Sequence, residues 1–284
     1  MEKTALAATE RAALIALLDD PSPAVRRRFS ALGEPAGFLL REVAAGDDRQ
    51  LARHALEYLE ELGLCDPVAE FRAYIRGRRY ELEAGSLLLA RIANPRLDEA
   101  ACRAQLDAMA ARCRELIANP SSSREKCRAI NRVLFHECGF HGNTENYTDP
   151  RNSFLDQVLE RRTGLPISLS IVYLLVAARA GVELEPVGLP GHFLVGCFAD
   201  GLPFFVDAFE GGVFRGAADV LDALSARPGG LKSSDLAPTS VAEVLSRSCR
   251  NLARHYEASL EPERARLFNG LVGEFEAAHS RQQA

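Results

Sequence analysis

The Gly-Leu-Pro turn at residues 164–166 constrains the fold of this chain more than any other feature of its sequence. A helical pattern of apolar residues ends just before the turn. Pro166 begins the next helix, since proline lacks an N–H and suits a first helical turn. After Gly181 the apolar period falls towards two, which predicts short strands near residues 187, 192–195 and 204–206. Helices followed by a strand meander indicate an α+β fold, with helices packed on a small antiparallel sheet.

The N-terminal part of the sequence predicts short amphipathic helices in pairs over residues 10–63. Ser22-Pro23 supplies an N-cap and a first-turn proline, and Asp47-Asp48 supplies the cap of another helix. Residues 17–26 are similar to the turn of a HEAT-type helical hairpin. Only one or two such units are visible, whereas a stable solenoid needs about three. We therefore predict an all-helical, HEAT-like region without assigning a full repeat array.

Three regions are predicted along the chain: a helical N-terminal region over residues 1–120, an α+β core over 121–235, and a helical C-terminal pair over 236–284. The turn at Asn119-Pro120 marks the first boundary. In the C-terminal region, apolar residues at helical spacing define one buried face. They are Val244, Leu252, Tyr256 and Leu260.

Composition excludes several classes of function. The net charge is −5, with both signs interspersed along the 284 residues, so no basic footprint for nucleic acid is present. No apolar run reaches the length of a membrane span, and the N-terminus has no signal-peptide pattern, which predicts a cytoplasmic protein. The seven cysteines are an odd number without metal-ligand spacing. We expect no metal, no cofactor and no disulfide framework.

His192 and Asp207 are the candidate acid–base pair if the two strands are adjacent in one sheet, because His192 begins the strand at 192–195 and Asp207 directly follows the strand at 204–206. A carboxylate beside an imidazole fixes its tautomer and leaves the other ring nitrogen free as a base. The attacking group should come from the start of the helix after Gly164, where the candidates are Ser168 and Ser170. Ser168 is the better candidate because it lies nearer the positive end of the helix.

Each of these residues also has a structural interpretation. His192 follows Pro-Gly and could simply begin a strand, and Asp207 could organise the turn after it. A serine in a first helical turn is most often a capping or packing residue. Cys197 lies five residues after His192, so strand alternation places the two on opposite faces.

Several blocks of sequence, in a fixed order, resemble one family. They are residues 140–143 (Phe-His-Gly-Asn), Tyr147, residues 149–155 (Asp-Pro-Arg-Asn-Ser-Phe-Leu), 158–170, 187–195 and 207–212 (Asp-Ala-Phe-Glu-Gly-Gly). Together they resemble the bacterial SirB-type branch of the transglutaminase-like superfamily, closely over about residues 130–215. The resemblance implies a papain-like α+β core and a C-terminal helical hairpin similar to the tetratricopeptide-like tail of longer relatives.

The resemblance also locates the position of the nucleophile. In active superfamily members a Gly-x-Cys opens the core helix, and a glycine follows the cysteine by fifteen residues. Counting back fifteen residues from Gly181 reaches Pro166, so residues 164–166 overlay Gly-x-Cys. His192 and Asp207 match the other two members of the triad. A proline cannot attack, and we therefore expect no cysteine-type acyl transfer.

The remaining polar residues near the turn are predicted to form the wall of a retained cleft, together with Gly164 and Pro166. They are Asn143, Asp149, Arg151, Asn152, Arg161 and Arg162. Arg161 and Arg162 have the bidentate geometry that suits carboxylate or phosphate. The alternative is structural: Asp149 and Arg151 would only lock the polar loop, residues 141–151, onto the core helix.

Three functional hypotheses follow. The preferred one is a non-catalytic, transglutaminase-like protein that binds a peptide or protein in the cleft, with the N-terminal helices as a second contact surface. The alternative is a serine-dependent hydrolase or acyltransferase in which Ser168 attacks, His192 is the base and Asp207 orients it. A third is a purely helical scaffold. The preferred hypothesis involves neither nucleic acid nor membrane and leaves the oligomeric state open.

Overall fold

The computed structural model describes residues 6–20, 22–44, 46, 48–64, 66–199, 201–225 and 233–283. Contacts divide the chain into two compact units, Met1–Pro67 and Val68–Ala284. Within the described residues, no helix combines the length and apolarity needed to cross a bilayer. The fold is mostly helical with two small sheets, in agreement with the predicted α+β class.

The first unit consists of paired helices around their own apolar core. Its helices are α1 (Ala8–Ala16), α2 (Pro23–Leu32), α3 (Glu34–Ala44) and α4 (Arg49–Glu61). Ser22 caps α2, because its Oγ accepts a hydrogen bond from Val25 N–H. Asp48 caps α4 by accepting from two N–H groups, while Asp47 lies outside the described residues. The HEAT-like assignment stays a prediction.

The helices of the second unit share two apolar cores. They are α5 (Pro67–Gly77), α6 (Leu82–Ala93), α7 (Glu99–Leu116), α8 (Ser123–Asn131), α9 (Leu155–Arg161), α10 (Pro166–Arg179), α11 (Ala217–Ser225), α12 (Val241–Ala258) and α13 (Pro262–Gln283). A π-helical turn (Arg132–Glu137) continues α8, and short 3-10 turns cover Pro150–Ser153 and Ser233–Leu236.

Two small sheets complete this unit. β1 (His141–Gly142) and β2 (Thr163–Gly164) pair in parallel. β3 (Glu185–Leu189), β4 (His192–Cys197), β5 (Phe204–Asp207) and β6 (Val213–Gly216) form an antiparallel sheet in that order. The register pairs Leu189 with His192 and Val195 with Val206. The strands predicted from the apolar period lie in this sheet.

Helix α10 is the centre of the larger core. Every residue from Pro166 to Ala177 is buried, so the helix packs on all sides. This is why its sequence is apolar all round. The Tyr173 hydroxyl donates to Asn131 Oδ1 at 2.9 Å, which satisfies the one polar group of this buried ring.

The division at residue 67 differs from the predicted boundaries after residues 120 and 235, which stay predictions. Helices α6 and α7 supply Leu87 and Leu106 to the same core as α10. Helix α5 shares the second core with α12 and α13 through Phe71. In that core the Tyr256 and Phe268 rings stack 5.5 Å apart. These helices are therefore part of the compact unit that carries the candidate site.

Candidate functional site

His192 and Asp207 form a hydrogen-bonded pair on neighbouring strands. β4 begins at His192, β5 ends at Asp207, and His192 Nε2 lies 2.8 Å from Asp207 Oδ2. Asp207 is only 1% exposed, and its carboxylate also accepts hydrogen bonds from Arg215 Nε and from the Glu210 N–H. Burial acts to raise the pKa of Asp207, but the hydrogen bond and charge of His192, then Glu210 and Arg215, bring it below its ordinary value.

The pairing fixes the tautomer of His192. An ionised carboxylate only accepts hydrogen bonds, so the Nε2 of His192 carries the proton and donates it to Asp207. In a neutral imidazole the other ring nitrogen, Nδ1, then carries the lone pair. His192 also lines a cavity of about 680 Å³.

Pro166 occupies the first position of α10 and lines the same cavity. Its ring carries neither a donor nor a nucleophilic atom. Gly164 lies two residues before it, and a Cβ there would lie 2.6 Å from Ser168 Oγ. A larger residue at this position would therefore displace the Ser168 side chain.

Ser168 is turned away from this cavity. Its hydroxyl accepts from Leu165 N–H at 2.8 Å and lies 2.6 Å from Asn152 O, to which it donates. The residue is 4% exposed. Among the described residues the structure contains no hydrogen bond between Ser168 and His192. Ser170, the second serine candidate, is fully buried in α10.

The polar loop is held by its own side chains. Asn152 is fully buried, and its Nδ2 donates to Asn146 O at 2.8 Å and to Tyr147 O at 3.3 Å. Its Oδ1 accepts from Asn143 Nδ2 at 3.0 Å. Asn143 Oδ1 in turn accepts the Asn146 N–H. This arrangement fixes the loop against the start of α9 and α10.

Charged residues extend the same network. Asp149 forms ion pairs with Arg151 at 2.9 Å and with Arg161 at 3.2 Å. Burial acts to raise the pKa of Asp149, but hydrogen bonds from Arg151 and the charges of both arginines lower it overall. Arg162 instead lies 4.8 Å from the centre of the Phe140 ring and bonds Gln105.

Of the eight residues predicted for the cleft wall, Pro166 lines the cavity. The structure places the others in the loop network, in the Gly164 turn or against Phe140, and a binding role for them stays a prediction. We call the cavity the cleft from here on. It is lined by residues 147–148, 166–167 and 188–193, by Asp235 and by one face of α12.

The α12 face of the cleft was missed by the sequence analysis, which considered only the apolar side of this helix. Its polar members are Arg247, Arg250, Asn251 and Arg254, together with Glu243 and His255. Spacings of three and four residues put the first four on one side of a helix. That signal was visible in the sequence, but nothing in the sequence shows that this side faces His192.

No described cysteine lines the cleft. Cys197 is buried in the main core, and burial raises the pKa of Cys113 to about 12. Cys138 is half-buried and its pKa is raised by burial. Cys65 lies outside the described residues. The described thiols are therefore buried or half-buried, and none of them lies beside Pro166 in the cleft. Nor do the described side chains include a group of His, Cys, Asp or Glu arranged to hold a metal ion.

The α+β fold and the His192–Asp207 pair are those expected of a transglutaminase-like protein, and a comparison with protein families gives the same class. The model of the transglutaminase-like superfamily matches residues 100–250, and the chain belongs to that superfamily.

Among its relatives, a UPF0162 protein of Xylella fastidiosa strain 9a5c is 40% identical over 137 residues, 46% of this chain and 49% of the relative. A UPF0162 protein of Vibrio cholerae is 30% identical over 151 residues, 53% of each chain. Mouse F-box only protein 21 is 52% identical over 67 residues, which cover 24% of this chain and 11% of that protein. The chain thus spans about half the length of the bacterial relatives. No solved structure matches it.

Proposed function

We propose that this protein is a non-catalytic member of the transglutaminase-like superfamily, of its SirB-type branch, and that it binds a peptide or protein segment in the cleft. The observation that carries the proposal is Pro166, which stands at the head of α10 and lines the cleft together with His192. The base and its orienting carboxylate are present, but the atom that would attack is replaced by a proline ring.

The cleft has the size and lining of a binding site. A volume of about 680 Å³ falls within the usual range of about 300–1,000 Å³ for ligand pockets. Apolar side chains such as Ile167 and Leu189 lie beside polar ones, as in sites that take an extended ligand. Tyr147 is 44% exposed at the rim, and tyrosine is common in protein-binding surfaces.

The serine-dependent alternative gains no support from the geometry. The Ser168 hydroxyl is engaged by Leu165 and Asn152, and the same two bonds hold the turn and the loop to α10. A serine nucleophile must reach its base directly, within about 3 Å. We infer a structural role for Ser168.

The proposal also assigns roles to the helices that precede and follow the core. We infer that α12 and α13 correspond to the tetratricopeptide-like hairpin of longer relatives. The paired helices of the first unit, with their own core around Phe29 and Tyr58, would offer a second, separate contact surface.

The experiment selects peptide ligands and measures whether their binding depends on the cleft. A random peptide library is panned against the wild-type protein, and the enriched peptides are measured by fluorescence anisotropy. Thr148 is exposed and lines the cleft, so Thr148→Trp should obstruct it without disturbing the core. Thr144 is an exposed threonine of the same loop outside the cleft, and Thr144→Trp is the matched control.

We expect Thr148→Trp to weaken binding by at least about tenfold, or about 1.4 kcal/mol, while Thr144→Trp leaves it unchanged. The proposal is overturned if no peptide binds, or if both variants bind like the wild type. It is also overturned if the wild-type protein hydrolyses the selected peptides and His192→Ala abolishes that hydrolysis.

A further inference from the structure

One wall of the cleft is strongly basic. Arg247, Arg250 and Arg254 all project from α12 into it. The carboxylates among its lining residues are Asp235 and Glu243, of which Glu243 is paired with Arg250. Positive charge is therefore concentrated on one side of a site in a chain whose net charge is negative.

Arg247 has a structural role in this wall of the cleft. Its guanidinium donates to Leu189 O at 2.6 Å and to His192 O at 2.7 Å, and lies 5.5 Å from the centre of the Phe193 ring. It thereby ties α12 to the β3–β4 turn beside His192. Burial lowers the pKa of Arg247, and the charge of neighbouring Arg250 lowers it further. Among the described residues no carboxylate forms an ion pair with it.

Arg250 and Arg254 are one helical turn apart, and both have donors to spare. Arg250 uses one terminal nitrogen for Glu243, while its buried Nε has no hydrogen-bond partner among the described residues. Arg254 is exposed and forms no ion pair with any described carboxylate. Unpaired guanidinium donors at the edge of a concave site are the groups that bind carboxylates.

A second, independent observation is His255, which lines the same cleft. It is only 6% exposed, and its buried Nδ1 has no hydrogen-bond partner among the described residues. Buried polar atoms are nearly always satisfied in folded proteins, so an unsatisfied one in a binding cleft points to a ligand group. The Tyr147 ring meets His255 edge-on at 6.2 Å and covers it from the loop side.

We propose that the cleft binds an acidic peptide segment and that Arg250 and Arg254 hold one of its side-chain carboxylates beside His255. This inference rests on the function proposed above and specifies its ligand.

A peptide suits the site better than a free anion or a nucleic acid. A carboxylate or phosphate ion alone fills a small part of a space of about 680 Å³, so the occupant also contacts Ile167, Leu189 and Tyr147. Nucleic acid is disfavoured by the net charge of −5, which opposes a phosphate chain extending beyond the cleft. An acidic segment with apolar neighbours matches both sides of the cleft.

The test uses the whole 284-residue chain and the peptides selected above. Each peptide is compared with a version in which Asp and Glu are replaced by Asn and Gln. Both are measured against the wild type, against Arg254→Gln, and against Arg266→Gln as the control. Arg266 is an exposed arginine of α13 outside the cleft. Millimolar inorganic phosphate and a short single-stranded DNA are the competing probes.

We expect the selected peptides to be rich in Asp and Glu. Arg254→Gln should weaken their binding by about five- to twentyfold. Arg266→Gln should change nothing, and the amide versions should bind weakly to every variant. Arg254→Glu should recover binding of a peptide whose critical acidic residue is replaced by Lys.

Other outcomes overturn the inference. Selected peptides could lose binding in Thr148→Trp and yet contain no acidic residues, or bind Arg254→Gln as tightly as the wild type. In either case the cleft binds peptides, but the carboxylate assignment is wrong. If phosphate or the DNA binds the cleft more tightly than any peptide, the occupant is a phosphate ligand. If no peptide depends on the cleft, the proposed function itself fails.

Discussion

Asp207 Oδ2 accepts a hydrogen bond from His192 Nε2 at 2.8 Å, at one end of a sheet whose neighbouring helix begins with Pro166. Pro166 and His192 also line the same cleft, and under the proposed function Pro166 occupies the position of the nucleophile. Whether His192 can act on a group at that position can be tested by placing a thiol there.

The variant Pro166→Cys should contain an unusually reactive thiol. The helix N-terminus and a nearby imidazolium both favour the thiolate and lower the thiol pKa. We expect alkylation by iodoacetamide near neutral pH to be about tenfold faster than in the double variant with His192→Ala. Site-resolved mass spectrometry separates this thiol from Cys113, whose pKa is raised to about 12. Equal rates in the two variants would show that His192 does not reach the position.

Ser168 should behave as a structural residue. We expect no labelling of Ser168 by a fluorophosphonate probe, because its hydroxyl bonds Asn152 O and Leu165 N–H. Ser168→Ala should lower the free energy of unfolding by about 1–3 kcal/mol, since it leaves buried groups unsatisfied. Ser259→Ala, at an exposed site after α12, should stay within about 0.5 kcal/mol of the wild type in urea denaturation. Labelling of Ser168 that disappears in His192→Ala would contradict this role.

Gly164 should not tolerate even a methyl group. A Cβ at this position would lie 2.6 Å from Ser168 Oγ and 3.2 Å from two apolar carbons. Gly164→Ala should therefore destabilise the protein by about 1–3 kcal/mol. Gly270 is a helical glycine of α13 with open space around its Cβ position. Gly270→Ala should instead be neutral or stabilise the protein by up to about 1 kcal/mol, and the same sign for both substitutions would be evidence against the close turn.

His255 should make stability depend on pH in a defined direction. Burial lowers the pKa of His255 in the folded protein, with Asp149 opposing and Arg254 adding to the shift. The unfolded chain then binds more protons than the folded one as the pH falls below about 6.5. Its contribution to stability is complete above that value and decreases on acidification. In urea denaturation across this range, the wild type should lose more stability than His255→Gln; parallel curves would contradict the shift.

Several features of the fold and the site could be predicted from sequence because they depend on local patterns. The turn at 164–166, the start of α10 at Pro166 and the short strands with His192 and Asp207 all follow from backbone preference and apolar period. The face of α10 could not be predicted correctly, because a helix apolar on every side has no preferred direction until its neighbours are known.

The polar loop shows a second limit of prediction from the sequence. The sequence allowed two interpretations of Asn152 and Asp149, as cleft wall or as a lock for the loop. The hydrogen bonds of Asn152 to the loop backbone and the pairing of Asp149 with two arginines place both in the loop network. Short polar side chains bond whatever backbone lies within reach, which depends on how the loop is folded.

The sequence by itself determined that a Gly-Leu-Pro turn leads into a helix that begins at Pro166, since this needs only the order of residues and their backbone preferences. It also predicted two successive short strands, one beginning at His192 and one ending next to Asp207, whereas the pairing of these strands was decided by the tertiary structure. Only the tertiary structure decided what surrounds them. Helix α12 begins almost fifty residues after His192, and its arginines reach the cleft because its apolar face is buried against α6 and α13. Helical spacing gives the two faces of α12, but packing between distant segments decides which space each face meets.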